Sequence, residues 1–204
     1  MFFLLYNRLI IKLNKMKKFV LMAAMAMVSL GAFCQESLSF GPKIGLNIAN
    51  MTNMDTDSRV GMNVGIFAQY RFNEWIGVQP EVLYSMQGAK ADALGFTGTM
   101  KVDYINVPIL AKLYVFNGWN IELGPQFGFC TRAKGDVSFD GDSWANGDLK
   151  DNVNTFDFGI AMGLAYDFDF GLTANARYVA GTTDVIKNSD VRNSVFQIGV
   201  GYKF

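Results

Sequence analysis

The sequence predicts an all-β chain, an eight-stranded antiparallel transmembrane β-barrel wound as an up-and-down meander and preceded by a signal peptide. Three observations carry that expectation. Apolar and small polar residues alternate with period two along about eight segments, as strands with two unlike faces require. The connections between these segments switch between tight turns and long polar stretches, the rim asymmetry of outer-membrane barrels. The chain closes on the same alternation, from Val195 to a terminal Phe204.

The leader occupies residues 1–34. Lys15, Lys17 and Lys18 form a basic region, Phe19 to Leu30 an apolar run, and Gly31-Ala32-Phe33-Cys34 a small-residue end. Cleavage is expected after Cys34, and Met16 is the more natural start, which makes residues 1–15 a start-site extension. Cys34 also admits a lipoprotein reading, which the bulky Phe33 before it disfavours. The apolar run is shorter than the ~20 residues of a spanning helix. The remaining residues, 35–204, fit one domain. Arg8, Lys12, Lys15, Lys17 and Lys18 leave with the leader, whereas all 18 acids remain, so the mature chain is net acidic. That balance argues against nucleic-acid binding. Cys130 then stands alone, and no intrachain disulfide is expected.

Each strand follows from parity. The first sets Leu38, Phe40, Ile44, Leu46 and Ile48 against Lys43 and Asn47, the second Met62, Val64, Ile66, Tyr70 and Phe72 against Asn63, Gly65, Gln69 and Arg71. The third sets Ile76, Val78, Val82, Tyr84 and Met86 against Gln79, Glu81, Ser85 and Gln87. The fourth sets Ile105, Val107, Ile109 and Leu113 against Asn106 and Lys112, the fifth Ile121, Leu123, Phe127 and Phe129 against Glu122 and Gln126. The sixth runs from Phe156 to Phe168 with Asp157, Gly159, Gly163 and Asp167 on its polar face. The seventh sets Leu172, Ala174, Ala176 and Tyr178 against Thr173, Asn175 and Arg177, and Val195–Phe204 makes the eighth.

Asn73-Glu74, Phe116-Asn117-Gly118 and Asp169-Phe170 read as tight turns; Asn50–Arg59, Ala89–Lys101, Arg132–Asn154 and Thr182–Asn193 read as long polar loops. An even strand count puts both termini on the short-turn side, expected to be periplasmic. The polar face repeats glycine at 61, 65, 159, 163, 199 and 201. Small residues suit the interior of a barrel just wide enough to be filled by side chains, so the apolar face is expected to meet outer-membrane lipid. Phe72, Trp75, Phe116, Trp119, Phe168, Phe170 and Phe204 gather at the short-turn rim as an interfacial girdle. Tyr202 and Phe204 form the expected assembly signal for the barrel insertion machinery.

Several segments resemble the PorT-like family of eight-stranded outer-membrane barrels, often labelled porins. They are Gly41-Pro42-Lys43-Ile44-Gly45-Leu46-Asn47-Ile48, Gln79-Pro80-Glu81-Val82-Leu83-Tyr84-Ser85-Met86-Gln87-Gly88 and Asp103-Tyr104-Ile105-Asn106-Val107-Pro108-Ile109-Leu110-Ala111-Lys112, with Gly124-Pro125, Ala176-Arg177-Tyr178 and Gly201-Tyr202-Lys203-Phe204. The resemblance implies fold and cell outer-membrane location. It implies no activity, and the secretion role of the namesake is not carried by these residues. The family position is often acidic where this chain has Asn106, so no salt bridge is expected there.

The chain has no histidine. That removes Ser-His and Cys-His nucleophile pairs and imidazole metal ligands, so no enzyme and no cofactor are expected. Lys43, Arg71, Glu81, Lys112, Glu122, Asp157, Asp167, Arg177 and Lys203 share the inward face, and buried charges need partners, so they are expected to form a structural lumen network. Lys112 and Glu122 are expected to face each other across a three-residue loop that pairs Val115 with Trp119. In the third long loop, Asp136, Asp140, Asp142 and Asp148 are weak calcium candidates without EF-hand spacing, and Trp144 could anchor a partner; a solvated loop is the plainer reading. The expected function is a monomeric scaffold with a plugged lumen, presenting four loops to a partner the sequence does not identify. The alternatives are a narrow channel for ions or small solutes and an accessory role in protein secretion.

Overall fold

A computed structural model describes residues 37–204 except Asp55, Leu94, Gly95, Asp140, Gly141 and Asn188, with side chains described outside 92–96 and 139–144. The expected signal peptide lies outside the described residues. The strands are β1 (Leu38–Met51), β2 (Asp57–Arg71), β3 (Ile76–Ala93), β4 (Phe96–Tyr114), β5 (Trp119–Phe139), β6 (Asp142–Asp148), β7 (Phe156–Asp167), β8 (Leu172–Asp184) and β9 (Arg192–Tyr202). All but β6 follow one another around an antiparallel ring, which β9 closes by pairing with β1. Closure runs to the last residue: Phe204 N–H donates to the Phe40 carbonyl at 2.9 Å. A closed ring leaves no strand edge in lipid, as a membrane-spanning sheet requires.

The expected parity holds along the ring. Ile44, Leu46, Val64, Ile66, Ile105, Ile109, Ile160, Met162, Ile198 and Val200 are exposed on the outer face, whereas Asn47, Ser85, Lys112, Glu122 and Arg177 are buried within. The girdle residues Phe72, Trp75, Phe116, Trp119, Phe170 and Phe204 are all exposed at the short-turn rim. Edge-on ring contacts link Trp119 to Tyr166 at 5.1 Å and Tyr166 to Phe168 at 4.6 Å.

The tight turns follow from their residues. Asn73 Oδ1 accepts from the Trp75 and Ile76 amides, an Asx turn between β2 and β3. Val115 N–H donates to the Trp119 carbonyl, enclosing the loop Phe116–Gly118, and Gly118 takes φ +78°. That left-handed conformation favours glycine.

Two of the four long connections are not polar loops. Residues 89–93 and 96–101 pair as the two arms of a strand hairpin, with Ala89 opposite Met100 and Ala93 opposite Phe96. Most of residues 132–154 form a second hairpin, with β5 running to Phe139 and turning back through β6. The alternation explains the difference. Ala89, Met100, Val102, Ala133 and Val137 occupy one face and Lys90, Thr99, Lys101, Lys134 and Asp136 the other. Their small apolar residues and scattered Gly, Asp and Ser read as loop, yet the ladder supplies every strand with a hydrogen-bonding neighbour. At this rim Met51, Ala89, Val102, Tyr104, Cys130, Ala133, Val153, Val185 and Val191 pack into an apolar cap inside the mouth. The bridge Val153–Ile186 ties the segments after β6 and β8 together over it.

Candidate functional site

The inward faces of β1, β3, β4, β5, β7, β8 and the chain end bring seven of the expected charges into one chain of ion pairs. Lys43 Nζ donates to Glu81 Oε1 at 2.9 Å. Arg177 spans the lumen: its guanidinium donates to both Glu81 oxygens at 2.9 and 3.0 Å and to Glu122 Oε2 at 2.7 Å. Lys112 Nζ lies 3.8 Å from the other Glu122 oxygen and 3.1 Å from Asp167. Lys203 completes the chain at 3.1 Å from Asp167. The side chains of Lys112, Glu122, Glu81 and Arg177 are fully removed from solvent. Charges so buried need partners; of these carboxylate oxygens, Glu122 Oε1 alone accepts no hydrogen bond among the described residues.

Amides and hydroxyls complete that chain. Lys112 also donates to Gln69 and Gln79, and Asp167 accepts from Tyr114 and Thr173. Above it, Asn47 donates to Ser85 and to the Met62 and Met86 carbonyls and accepts from Asn63 and Gln197. These residues were visible as inward positions in the alternation, and the hairpin register gave Lys112 opposite Glu122, but the contacts across the bore were not visible in the sequence.

Two expected members stand apart. Arg71 is exposed at the short-turn rim, donating to the Asn73 and Glu74 carbonyls with its guanidinium 3.9 Å from the Tyr114 ring centre. Its strand leaves the lumen there, so the side chain folds back over the turn. Asp157, near the cap, meets no cation among the described residues; it accepts from Asn193 and Thr183. The register sets Lys112 opposite Glu122, but the closest carboxylate to Lys112 is on β7 and the closest cation to Glu122 is on β8. A side chain inside a small barrel reaches across as readily as sideways. Asn106 is buried with neither side-chain polar atom partnered among the described residues.

Of the calcium candidates, Asp136 bridges Lys101 across β4 and β5, and this hydrogen bond holds its carboxyl below the ordinary range. Asp148 accepts from the Lys150 amide. Asp140 and the side chains of Asp142 and Trp144 lie outside the described residues. Among the described residues no three acidic, cysteine or histidine side chains gather as a metal site. Cys130 is buried in the cap with its sulfur 3.6 Å from the Arg132 carbonyl.

No curated protein matches the chain. Among solved structures it is similar to Ail, the attachment invasion locus protein of Yersinia pestis, at 17% identity and TM-score 0.52, over 83% of this chain and 99% of that one. The same Yersinia pestis protein in complex with the heparin analogue sucrose octasulfate matches at 16% identity and TM-score 0.51, over 82% and 99%. Neisserial surface protein A matches at 15% identity and TM-score 0.49, over 82% and 97%. The model of the outer membrane protein beta-barrel domain matches residues 33–187. With its closed antiparallel ring, lipid-exposed apolar face and charged interior, the chain belongs to the outer-membrane β-barrel domain family.

Proposed function

We propose that the barrel is a closed, monomeric scaffold that holds its long connections at the cell surface for contacts with envelope or external partners. In this reading the short turns and both termini are periplasmic. The observation that carries it is the filled interior: the ion-pair chain through Arg177 crosses the lumen, and the apolar cap lies over the mouth. A hydrated ion entering such a bore would have to displace matched charges and then pass an apolar layer, both costly in low dielectric. Ail, the attachment invasion locus protein of Yersinia pestis that binds the heparin analogue sucrose octasulfate in one structure, shares the fold. The PorT-like resemblance fits the location and leaves an accessory role in secretion as a further proposal. The test is planar-bilayer recording on the purified full-length protein. No unitary conductance is expected; steady single-channel steps at low voltage would reject the scaffold in favour of a channel. Protease accessibility on intact cells tests the orientation, with cleavage expected in the hairpins of β3–β4 and β5–β6 but not in the short turns.

A further inference from the structure

We infer a saccharide-binding groove on the outward side of the wall, at the loop rim, between β7 and β8. It holds about 620 Å³ and is lined by Thr155, Phe156, Thr182, Asp184 and Arg192, with Asn154 and Thr183 behind them. Its cause is a break in the sheet. The β7–β8 ladder ends at Gly159–Gly181 and the strands rejoin only at the Val153–Ile186 bridge. On its other side β8 bulges as well, since its partners on β9 jump from Ser194 at Ala180 to Arg192 at Asp184. Bulges of this kind re-aim side chains at rims and binding sites.

The parted strands are pinned rather than loose. Thr183 Oγ1 accepts from the Phe158 amide and donates to Asp157, Thr182 donates to the Phe158 carbonyl, and Asn154 donates to the Asp184 carbonyl. This leaves the Phe156 ring 45% exposed as an apolar platform, braced edge-on by Phe129 at 5.7 Å. Around it stand exposed Thr155 and the half-exposed Asp184–Arg192 pair at 3.6 Å.

An aromatic face ringed by a hydroxyl, a carboxylate and a guanidinium matches a sugar ring. Such a ring has one apolar C–H face and a rim of hydroxyls that both donate and accept. The groove also opens directly above the lipid-facing column Phe158, Ile160, Met162 and Leu164. A saccharide joined to acyl chains would therefore place its headgroup in the groove and its chains on that column. The occupant is the headgroup of an outer-leaflet glycolipid, a source that rests on the proposed orientation and is independent of what the loops contact.

The test places the full-length barrel in phosphatidylcholine nanodiscs and follows the amide resonances of Thr155, Phe156, Thr182 and Arg192. The probes are deep-rough lipopolysaccharide in the bilayer, phosphatidylglycerol in the bilayer, and deacylated lipopolysaccharide in solution. Saturable shifts at these amides are expected with lipopolysaccharide and not with phosphatidylglycerol. Phe156→Ala and Arg192→Gln should each weaken binding about fivefold or more, while Phe196→Ala, elsewhere on the lipid face, should not. Heat-modifiable gel mobility confirms that each variant is folded. Shifts absent with both lipopolysaccharide forms, equal with phosphatidylglycerol, or unchanged in the groove variants overturn the site. Equal affinity for the deacylated form overturns the lipid-linked source. Neither result bears on conductance, so failure here is distinguishable from failure of the scaffold reading.

Discussion

At the scale of single residues, Arg177 decides the interior. Its guanidinium satisfies two carboxylates on different strands, so Arg177→Met leaves Glu81 and Glu122 buried without their shared partner. Equilibrium urea unfolding in lipid vesicles should show a loss of ~3–5 kcal/mol. The facing register alone would make Lys112→Met with Glu122→Leu cancel each other's cost; the contacts do not. Lys112 sits closer to Asp167, and Glu122 to Arg177, so the double variant takes one partner each from Asp167, which keeps Lys203, and from Arg177, which keeps Glu81. It should remain nearly as destabilised as the two single variants combined, whereas Lys112→Met with Asp167→Asn should show the larger coupling in a double-mutant cycle. Which residues face inward was legible, because parity is a local property of sequence. Beyond the facing pair Lys112 and Glu122 next to one turn, who meets whom was not. Arg177 and Glu81 are 96 positions apart, and their contact follows from closing the ring, which no hairpin register encodes.

At the scale of elements, the outer and inner faces respond differently, but not as glycine spacing alone suggested. Val64→Arg on the lipid face should lower the assembled fraction, at a cost of ~2–4 kcal/mol near the midplane, while Val64→Leu should leave heat-modifiable mobility unchanged. Gly65→Ser, although inward and small, should be severe. A Cβ built there falls 1.9 Å from the Val82 carbonyl oxygen of β3, so the strands must move apart to admit any side chain. If the Gly65→Ser variant assembles as well as wild type, this close approach is not a constraint. The same paired strands show why two hairpins went unseen. Ala, Gly, Ser and Asp at 89–101 and 132–148 lack the β-branched signature of strands, and only the adjoining ladder turns their weak alternation into β-structure.

For the whole molecule, the ring closes on Phe204, the residue we propose also serves as the assembly signal. Phe204 donates its amide to Phe40 and lies 6.3 Å from that ring, joining the last strand to the first. Deleting Phe204, or Phe204→Asp, should reduce the outer-membrane fraction far more than folding into detergent micelles, as measured by cell fractionation beside heat-modifiable mobility. Equal losses in both assays would assign the residue to packing alone. The contact between Arg177 and Glu81 has a mechanical consequence as well. β8 and β3 stand on opposite walls of the ring, with β9, β1 and β2 between them on one side and β4, β5 and β7 on the other. The guanidinium is thus a spoke across the bore. Lateral pressure from the bilayer tends to flatten a hollow cylinder into an ellipse without breaking any strand ladder, and a spoke under tension or compression resists that mode. Arg177 is one such brace, beside Lys112 of β4 reaching Asp167 of β7 and Asn193 of β9 reaching Tyr104 of β4.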